Sequence, residues 1–175
     1  MNLYVVRHAE AMQIGQSQSS LQGVITHDAD RPLTVCGKDD AELMGRALAR
    51  LDPFIDVIVT SPLLRAVQTG EIIGHEISNH VNLHTSMNLS PGFRPDALVE
   101  ELLAISGGAN LVAVGHQPDL SMFIAYLIAE SPRAAVAMEP AAIACIKLTP
   151  RANRVESELH WLLTPATVKS VHPQL

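Results

Sequence analysis

Arg7 and His8 stand directly after an apolar run, residues 3–6, near the start of the chain. A guanidinium beside an imidazole suits the capture of an anion, with the imidazole acting as nucleophile, base or ligand. Taken alone, the pair fits a surface turn after a strand equally well. The rest of the sequence has to separate these two interpretations.

The same pattern recurs at two later places in the chain. Arg65 comes shortly after a predicted buried strand, residues 56–60, whose centre is apolar, and His116 directly follows the apolar segment 111–115. Unrelated surface residues would not all be expected at the ends of apolar segments. The recurrence therefore favours a single anion site, and His8 is its candidate nucleophile.

The elements that would position these side chains are strands followed by helices. Short uninterrupted apolar runs are typical of strands buried on both faces, and ligands of open α/β sheets bind beyond the carboxyl ends of such strands. Ser61 as N-cap with Pro62 at the first helical position would place Arg65 in the first turn of a helix, where the positive helix end favours phosphate. Thr34 is predicted to cap another helix, which begins at Val35.

The last third of the chain predicts an antiparallel addition to the sheet. Residues 143–148 and 159–163 have strand character, and the short connection between them predicts a hairpin, so the sheet should be mixed. The sequence thus predicts one α/β domain with a mostly parallel sheet over residues 1–163. A loose C-terminal tail is expected over residues 164–175.

Composition limits the functional classes. The 175 residues are enough for one domain, and a net charge of −6 argues against a nucleic-acid-binding face. Cys36 and Cys145 form no Cys-x-x-Cys motif, and His75, His80 and His84 do not share one clear helix face, so neither set indicates a metal site. No leader and no membrane span are recognised, and we expect a soluble, cytoplasmic monomer.

Four segments, in this order, resemble the motifs of the histidine phosphatase superfamily, the phosphoglycerate mutase-like group. The leading Arg-His motif matches Arg7-His8-Ala9, with alanine where the family has glycine. The second arginine motif matches residues 60–69, and the late histidine motif matches residues 114–116. The segment Arg31-Pro32-Leu33-Thr34-x-x-Gly37 is similar to that of the short SixA-type phosphohistidine phosphatases. The resemblance covers residues 3 to about 148 and implies a single three-layer α/β/α domain with a mostly parallel mixed sheet.

The resemblance implies a covalent mechanism. His8 would attack phosphorus, and water would then hydrolyse the phosphohistidine. Arg7 and Arg65 would hold the phosphoryl oxygens and His116 would add a contact, so neither a metal nor another cofactor is expected. His8 must present a free ring nitrogen, so its other nitrogen should donate to a backbone carbonyl.

One departure concerns the proton donor. Many members of the family carry a glutamate between the second arginine motif and the late histidine, whereas residues 86–92 here contain no carboxylate. The carboxylates expected near the site are Glu10, Asp28 and Asp30. Asp30, beside Arg31, is the first candidate for the acid, and Arg31 itself is a candidate for substrate binding.

The missing acid and the size of the chain bear on the substrate. An imidazole leaves more readily than an alkoxide, and no long insertion lies between Thr69 and Gly115, so an open site suits phosphohistidine on a protein domain. The residue 12–31 loop is a candidate partial lid. A small-molecule phosphomonoester phosphatase or mutase, and a weakly active phospho-binding module, remain as alternatives.

Overall fold

The structure is a computed structural model that describes residues 1–17, 23–78, 81–129, 131, 135–152 and 155–172. His80 lies outside the described residues, as do parts of the residue 12–31 loop, of the predicted hairpin turn and of the tail.

The described strands form one six-stranded mixed sheet. In chain order they are β1 Asn2–Arg7, β2 Ile55–Thr60, β3 Asn82–Thr85, β4 Asn110–Gly115, β5 Ile143–Pro150 and β6 Val155–Leu163. Their order across the sheet is β3-β2-β4-β1-β5-β6. The pairings β3–β2, β2–β4 and β4–β1 are parallel, while β5 is antiparallel to both β1 and β6. The predicted mixed sheet is therefore confirmed.

Within the described ranges, five α-helices cover the two faces of the sheet: α1 Val35–Leu51, α2 Leu64–Ile77, α3 Pro95–Ser106, α4 Asp119–Ala129 and α5 Pro165–Val171. Tyr4 and Val6 of β1 belong to a core cluster with residues of α1, α2 and α5. Leu3 and Val5 belong to a second cluster with residues of α3 and α4. Alternate β1 side chains thus enter opposite cores, which explains the unbroken apolar run and confirms the three-layer α/β/α architecture.

The helix starts agree with the sequence in one case and differ in another. The hydroxyl of Thr34 accepts a hydrogen bond from the Gly37 amide at 2.9 Å, so Thr34 caps α1 as predicted. The prediction that Pro62 opens the next helix is wrong, because α2 begins at Leu64. Ser61 instead prolongs the exit from β2: its amide donates to the Val114 carbonyl at 2.9 Å.

The expectation of a loose tail is wrong for the part that forms α5. Thr164 caps this helix, its hydroxyl accepting from the Thr167 amide at 3.2 Å. Val168, 4% exposed, packs into the core cluster beneath α1. Burial of this side chain gives the segment a defined position. Among the described residues, no helix has the length and apolarity needed to span a membrane.

Candidate active site

The register of β1 and β4 brings the two predicted site histidines together. Arg7 pairs with Gly115, and the His8 amide donates to the Gly115 carbonyl at 3.0 Å. His8 and His116, the residues that leave these two strands, therefore lie side by side with ring centroids 5.0 Å apart. The parallel pairing converts a separation of more than one hundred residues in the chain into direct proximity.

The two ring nitrogens of His8 have different partners. Nδ1 lies 2.8 Å from the Ala9 carbonyl, and Nε2 lies 3.2 Å from Nε of Arg65. A carbonyl only accepts and a guanidinium only donates, so the ring carries its proton on Nδ1 and a lone pair on Nε2. Burial lowers the pKa of His8 to about 4, which keeps the ring neutral near pH 7. The predicted hydrogen bond to a backbone carbonyl is confirmed.

Arg65 is buried beside the nucleophile rather than facing solvent. It is 5% exposed and lies in the first turn of α2. Its NH1 donates to the Asp28 carbonyl at 2.8 Å and its NH2 to the Asp28 carboxylate at 3.0 Å. Together with the bond to His8, these contacts fix the orientation of the guanidinium beside the nucleophile.

Thr69 joins the helix of Arg65 to the segment of His8, a connection that the sequence analysis did not find. Its hydroxyl donates to the Arg65 carbonyl at 2.7 Å and accepts from the Ala9 amide at 3.1 Å. Thr69 sits at the fourth position after Arg65, and a threonine there commonly bonds back to the preceding turn of its helix. The second bond links α2 to the residue that follows His8. Sequence spacing alone does not reveal this long-range contact.

Two buried polar atoms at the site have no partner among the described residues: Nε of Arg7 and Nδ1 of His116. The other side of His116 is anchored, because its Nε2 lies 2.8 Å from the Ser61 hydroxyl. Arg7 is anchored by NH1, which donates to the Met138 carbonyl at 2.8 Å. Buried polar atoms are rarely left unpaired, so these two are suited to the oxygens of a bound anion. Burial also lowers the pKa of His116 to about 3.

The Arg31–Gly37 segment supports the nucleophile. The Thr34 amide donates to the Glu10 carbonyl at 3.0 Å, and the Thr34 hydroxyl donates to the Glu10 carboxylate at 2.7 Å. A Cβ atom on Gly37 would lie 2.1 Å from the Glu10 carbonyl oxygen, so only glycine fits at this position. The segment therefore fixes Glu10, the second residue after His8.

Arg31, predicted to bind substrate, is engaged within its own loop. Its Nε donates to the Met12 carbonyl at 2.5 Å and its NH1 to the Asp28 carboxylate at 2.9 Å. Arg31 thus orients Asp28, which in turn contacts Arg65.

The carboxylate that the structure brings to the site arginines is Asp28, not Asp30 as first expected. Both belong to the same 3-10 turn, Asp28–Asp30, and Asp30 is exposed there. The sharp turn directs neighbouring side chains apart, and only Asp28 reaches Arg65. Hydrogen bonds from Arg31 and from Arg65 hold the pKa of the Asp28 carboxyl below its usual value.

Many family members carry a glutamate in the segment that corresponds to residues 86–92. Here, that segment hydrogen-bonds to a carboxylate of another element. Glu101 of α3 accepts from the Ser86 hydroxyl at 2.6 Å and from the Asn88 amide group at 2.8 Å. In the part of the chain that the structure describes, no three acidic, histidine or cysteine side chains cluster as metal ligands would.

Comparison with known proteins gives the family. The family model described as "Histidine phosphatase superfamily (branch 1)" matches residues 3–90, which include Arg7, His8 and Arg65. The chain belongs to the histidine phosphatase superfamily. An uncharacterized protein of Picosynechococcus is 36% identical to this histidine phosphatase over 123 residues, covering 69% of this chain and 68% of the relative.

Two further comparisons extend over nearly the whole chain. The phosphohistidine phosphatase SixA of Escherichia coli is 28% identical to this histidine phosphatase, with 97% of each chain covered. A solved structure of the protein histidine phosphatase SixA complexed with tungstate superimposes with a TM-score of 0.80 at 24% identity, covering 97% of this chain and all of the other. The fold is thus phosphoglycerate mutase-like, as the sequence motifs imply.

Proposed function

We propose that this histidine phosphatase hydrolyses phosphohistidine on proteins, without a metal, through a covalent phosphohistidine on His8. The observation that carries the proposal is the tautomer of His8. Its lone pair on Nε2 points at Arg65 while Nδ1 is held by the Ala9 carbonyl. A neutral, oriented imidazole next to a buried guanidinium is a nucleophile at an anion site.

The first half-reaction moves the phosphoryl group from the substrate to His8. The Nε2 lone pair forms the new bond to phosphorus as the bond from phosphorus to the leaving nitrogen breaks. That nitrogen keeps the electron pair, so a substrate ring protonated on its other nitrogen departs as neutral imidazole. His8, already protonated on Nδ1, becomes a phosphorylated imidazolium whose N–H still donates to Ala9.

The second half-reaction regenerates the nucleophile. Water attacks phosphorus, the bond to Nε2 breaks, and His8 recovers its lone pair. Both water hydrogens leave with the product as dihydrogen phosphate, which then loses a proton to solvent. No separate strong base is needed for this balance.

Charge stabilisation comes from the arginines and from His116. Arg65 can exchange its bonds to His8 and Asp28 for phosphoryl oxygens, and the unpartnered Nε of Arg7 and Nδ1 of His116 add two further contacts. Catalysis of phosphoryl transfer depends mainly on such positioning and charge neutralisation. We therefore propose that chelation with EDTA leaves the activity unchanged.

Two arguments support the proposed substrate class: the ease with which imidazole leaves, and the similarity to a relative of known name. An imidazole needs less help from an acid than an alkoxide, and residues 86–92 provide no carboxylate. The similarity to the E. coli phosphohistidine phosphatase over 97% of each chain supports the same class. A phosphorylated protein domain as partner, a monomeric state and a cytoplasmic location complete the proposal; the two free cysteines support a reducing compartment.

The deciding experiment follows phosphate release from a phosphohistidine-bearing protein, with wild type beside His8→Ala. Release by wild type alone, with labelled phosphate trapped on His8 after acid-free quenching, is the expected result. Full activity of His8→Ala would refute the covalent route. Failure of wild type to act on phosphohistidine, together with turnover of small phosphoesters, would reassign the substrate class. Vanadate binding without turnover of either would identify a phospho-binding module.

A further inference from the structure

Arg7, His8, Arg65 and His116 form the anion site, here called the phosphate pocket. A groove of about 440 Å³ lies beside this pocket and shares Arg7 with it. Other residues along it include Gln117, Ser121, Met138 and Glu139. In phosphoryl transfer the leaving group departs from the side of phosphorus opposite the nucleophile. A groove that meets the phosphate pocket at Arg7 is a place for the group to which the phosphate is attached.

The backbone around Glu139 is held in place by the strand that carries the nucleophile. The Ala142 amide donates to the Glu139 carbonyl at 3.0 Å, and the Arg7 amide donates to the Ala142 carbonyl at 3.1 Å. On the other side of Glu139, the Met138 carbonyl accepts from the Arg7 guanidinium at 2.8 Å. The position of Glu139 is therefore set relative to Arg7.

The neutral polar side chains of the groove, those of Gln117 and Ser121, make hydrogen bonds within the protein. Gln117 donates through Nε2 to the Ser121 hydroxyl at 2.6 Å, and that hydroxyl donates to the Val136 carbonyl at 2.5 Å. Of the described residues that line the groove, Arg7 and Glu139 alone carry a charge. Arg7 attracts the phosphoryl group, so the exposed carboxylate of Glu139 is the group left for the rest of the substrate.

We propose that Glu139 is a specificity-determining residue that accepts a hydrogen bond from the N–H of a phosphorylated imidazolium and repels leaving groups that carry a carboxylate. The inference deepens the proposed function and rests on it. When the bond to phosphorus breaks, the electron pair stays on the leaving nitrogen, and the proton that faces Glu139 stays on the other ring nitrogen. The ring departs neutral, so no proton has to be transferred during the step.

The test compares Glu139→Gln and Glu139→Asp with wild type on three small probes. These are N-phosphoimidazole, p-nitrophenyl phosphate and 2-phosphoglycolate. The substituent on phosphorus is respectively a ring that can carry an N–H, an uncharged nitrophenyl group and an alkyl group that bears a carboxylate. A matched control is Glu158→Gln, an exposed glutamate on β6 far along the sheet from the groove. Thermal unfolding of each variant monitors folding.

In Glu139→Gln, the kcat/KM ratio of N-phosphoimidazole to p-nitrophenyl phosphate should fall about tenfold, the worth of one charge-assisted hydrogen bond. The relative rate on 2-phosphoglycolate should rise, and Glu139→Asp should recover part of the imidazole preference. Unchanged ratios in Glu139→Gln would overturn the role of Glu139 and leave the phosphohistidine activity standing. If wild type hydrolyses p-nitrophenyl phosphate but not N-phosphoimidazole, the proposed function fails and this inference with it.

Discussion

The Nε2 atom of His8 accepts a hydrogen bond from Nε of Arg65 at 3.2 Å. This contact protects the lone pair of the nucleophile from protonation and marks where the phosphoryl group must enter. When substrate binds, the N–H groups of the same guanidinium can donate to the phosphoryl oxygens instead of to His8. The fold thus holds the nucleophile and the guanidinium that would bind the phosphoryl group in contact with each other.

Replacement of Arg65 should therefore impair more than binding. Arg65→Ala and Arg65→Lys should each lower kcat/KM on the order of 10²–10³-fold, since the single ammonium nitrogen of lysine cannot replace the planar fork of three guanidinium nitrogens. Steady-state kinetics on p-nitrophenyl phosphate and on a phosphohistidine protein measure the effect. Arg50→Ala, an exposed arginine at the end of α1, is the control. Full activity of Arg65→Lys would show that the guanidinium geometry is not required.

Asp28 competes with the phosphoryl group for Arg65. Because the Asp28 carboxylate is 52% exposed and screened, its removal in Asp28→Asn should tighten vanadate inhibition only roughly three- to fivefold. Asp30→Asn, in the same turn, is the matched control and should leave inhibition unchanged. Weaker inhibition in Asp28→Asn would contradict the competition. A slower kcat in Asp30→Asn on poor leaving groups would instead restore Asp30 as the acid.

The two site histidines should make the fold sensitive to acid. Burial lowers the pKa of His8 to about 4 and that of His116 to about 3, whereas the unfolded chain binds these protons near pH 6.5. Their contribution to stability is complete above pH 6.5 and is lost as the pH falls to about 4 for His8 and to about 3 for His116. It is on the order of a few kcal/mol.

His8→Asn should accordingly lose less stability than wild type between pH 7 and pH 4. Urea unfolding at a series of pH values measures the difference. His75→Asn, whose side chain on α2 is 78% exposed, serves as the control at a solvent-exposed histidine. Parallel stability curves for wild type and His8→Asn would contradict the assignment.

Gly37 should be intolerant of any side chain. In Gly37→Ala the new Cβ would meet the Glu10 carbonyl 2.1 Å away, which forces the segment after His8 to move. We expect lower thermal stability together with a loss of kcat, because the Ala9 carbonyl that orients His8 belongs to that segment. Gly23→Ala is the matched control, since its Cβ would have no atom within 4 Å. Equal activity of the two variants would show that the segment can shift without disturbing the nucleophile.

The placement of Arg7, His8, Arg65 and His116 could be predicted from the sequence because it depends on local signals. Buried parallel strands are continuous apolar runs, and their carboxyl ends share one edge, so the residues just after them converge whatever the details of packing. The cap of α1 at Thr34 is likewise a local signal.

The tertiary structure alone decided which side chains surround these four residues and complete the site. The sequence predicts Ser61 as a helix cap, whereas α2 begins only at Leu64 and the Ser61 hydroxyl bonds to His116, 55 positions away in the chain. Asp28 and Asp30 are equivalent in sequence, and only the orientation of their shared turn brings Asp28 to Arg65. The sequence around Glu139 indicates only a turn. The pairing of β5 with β1 places this residue beside Arg7. Such contacts join distant parts of the chain, so their geometry depends on how the layers pack.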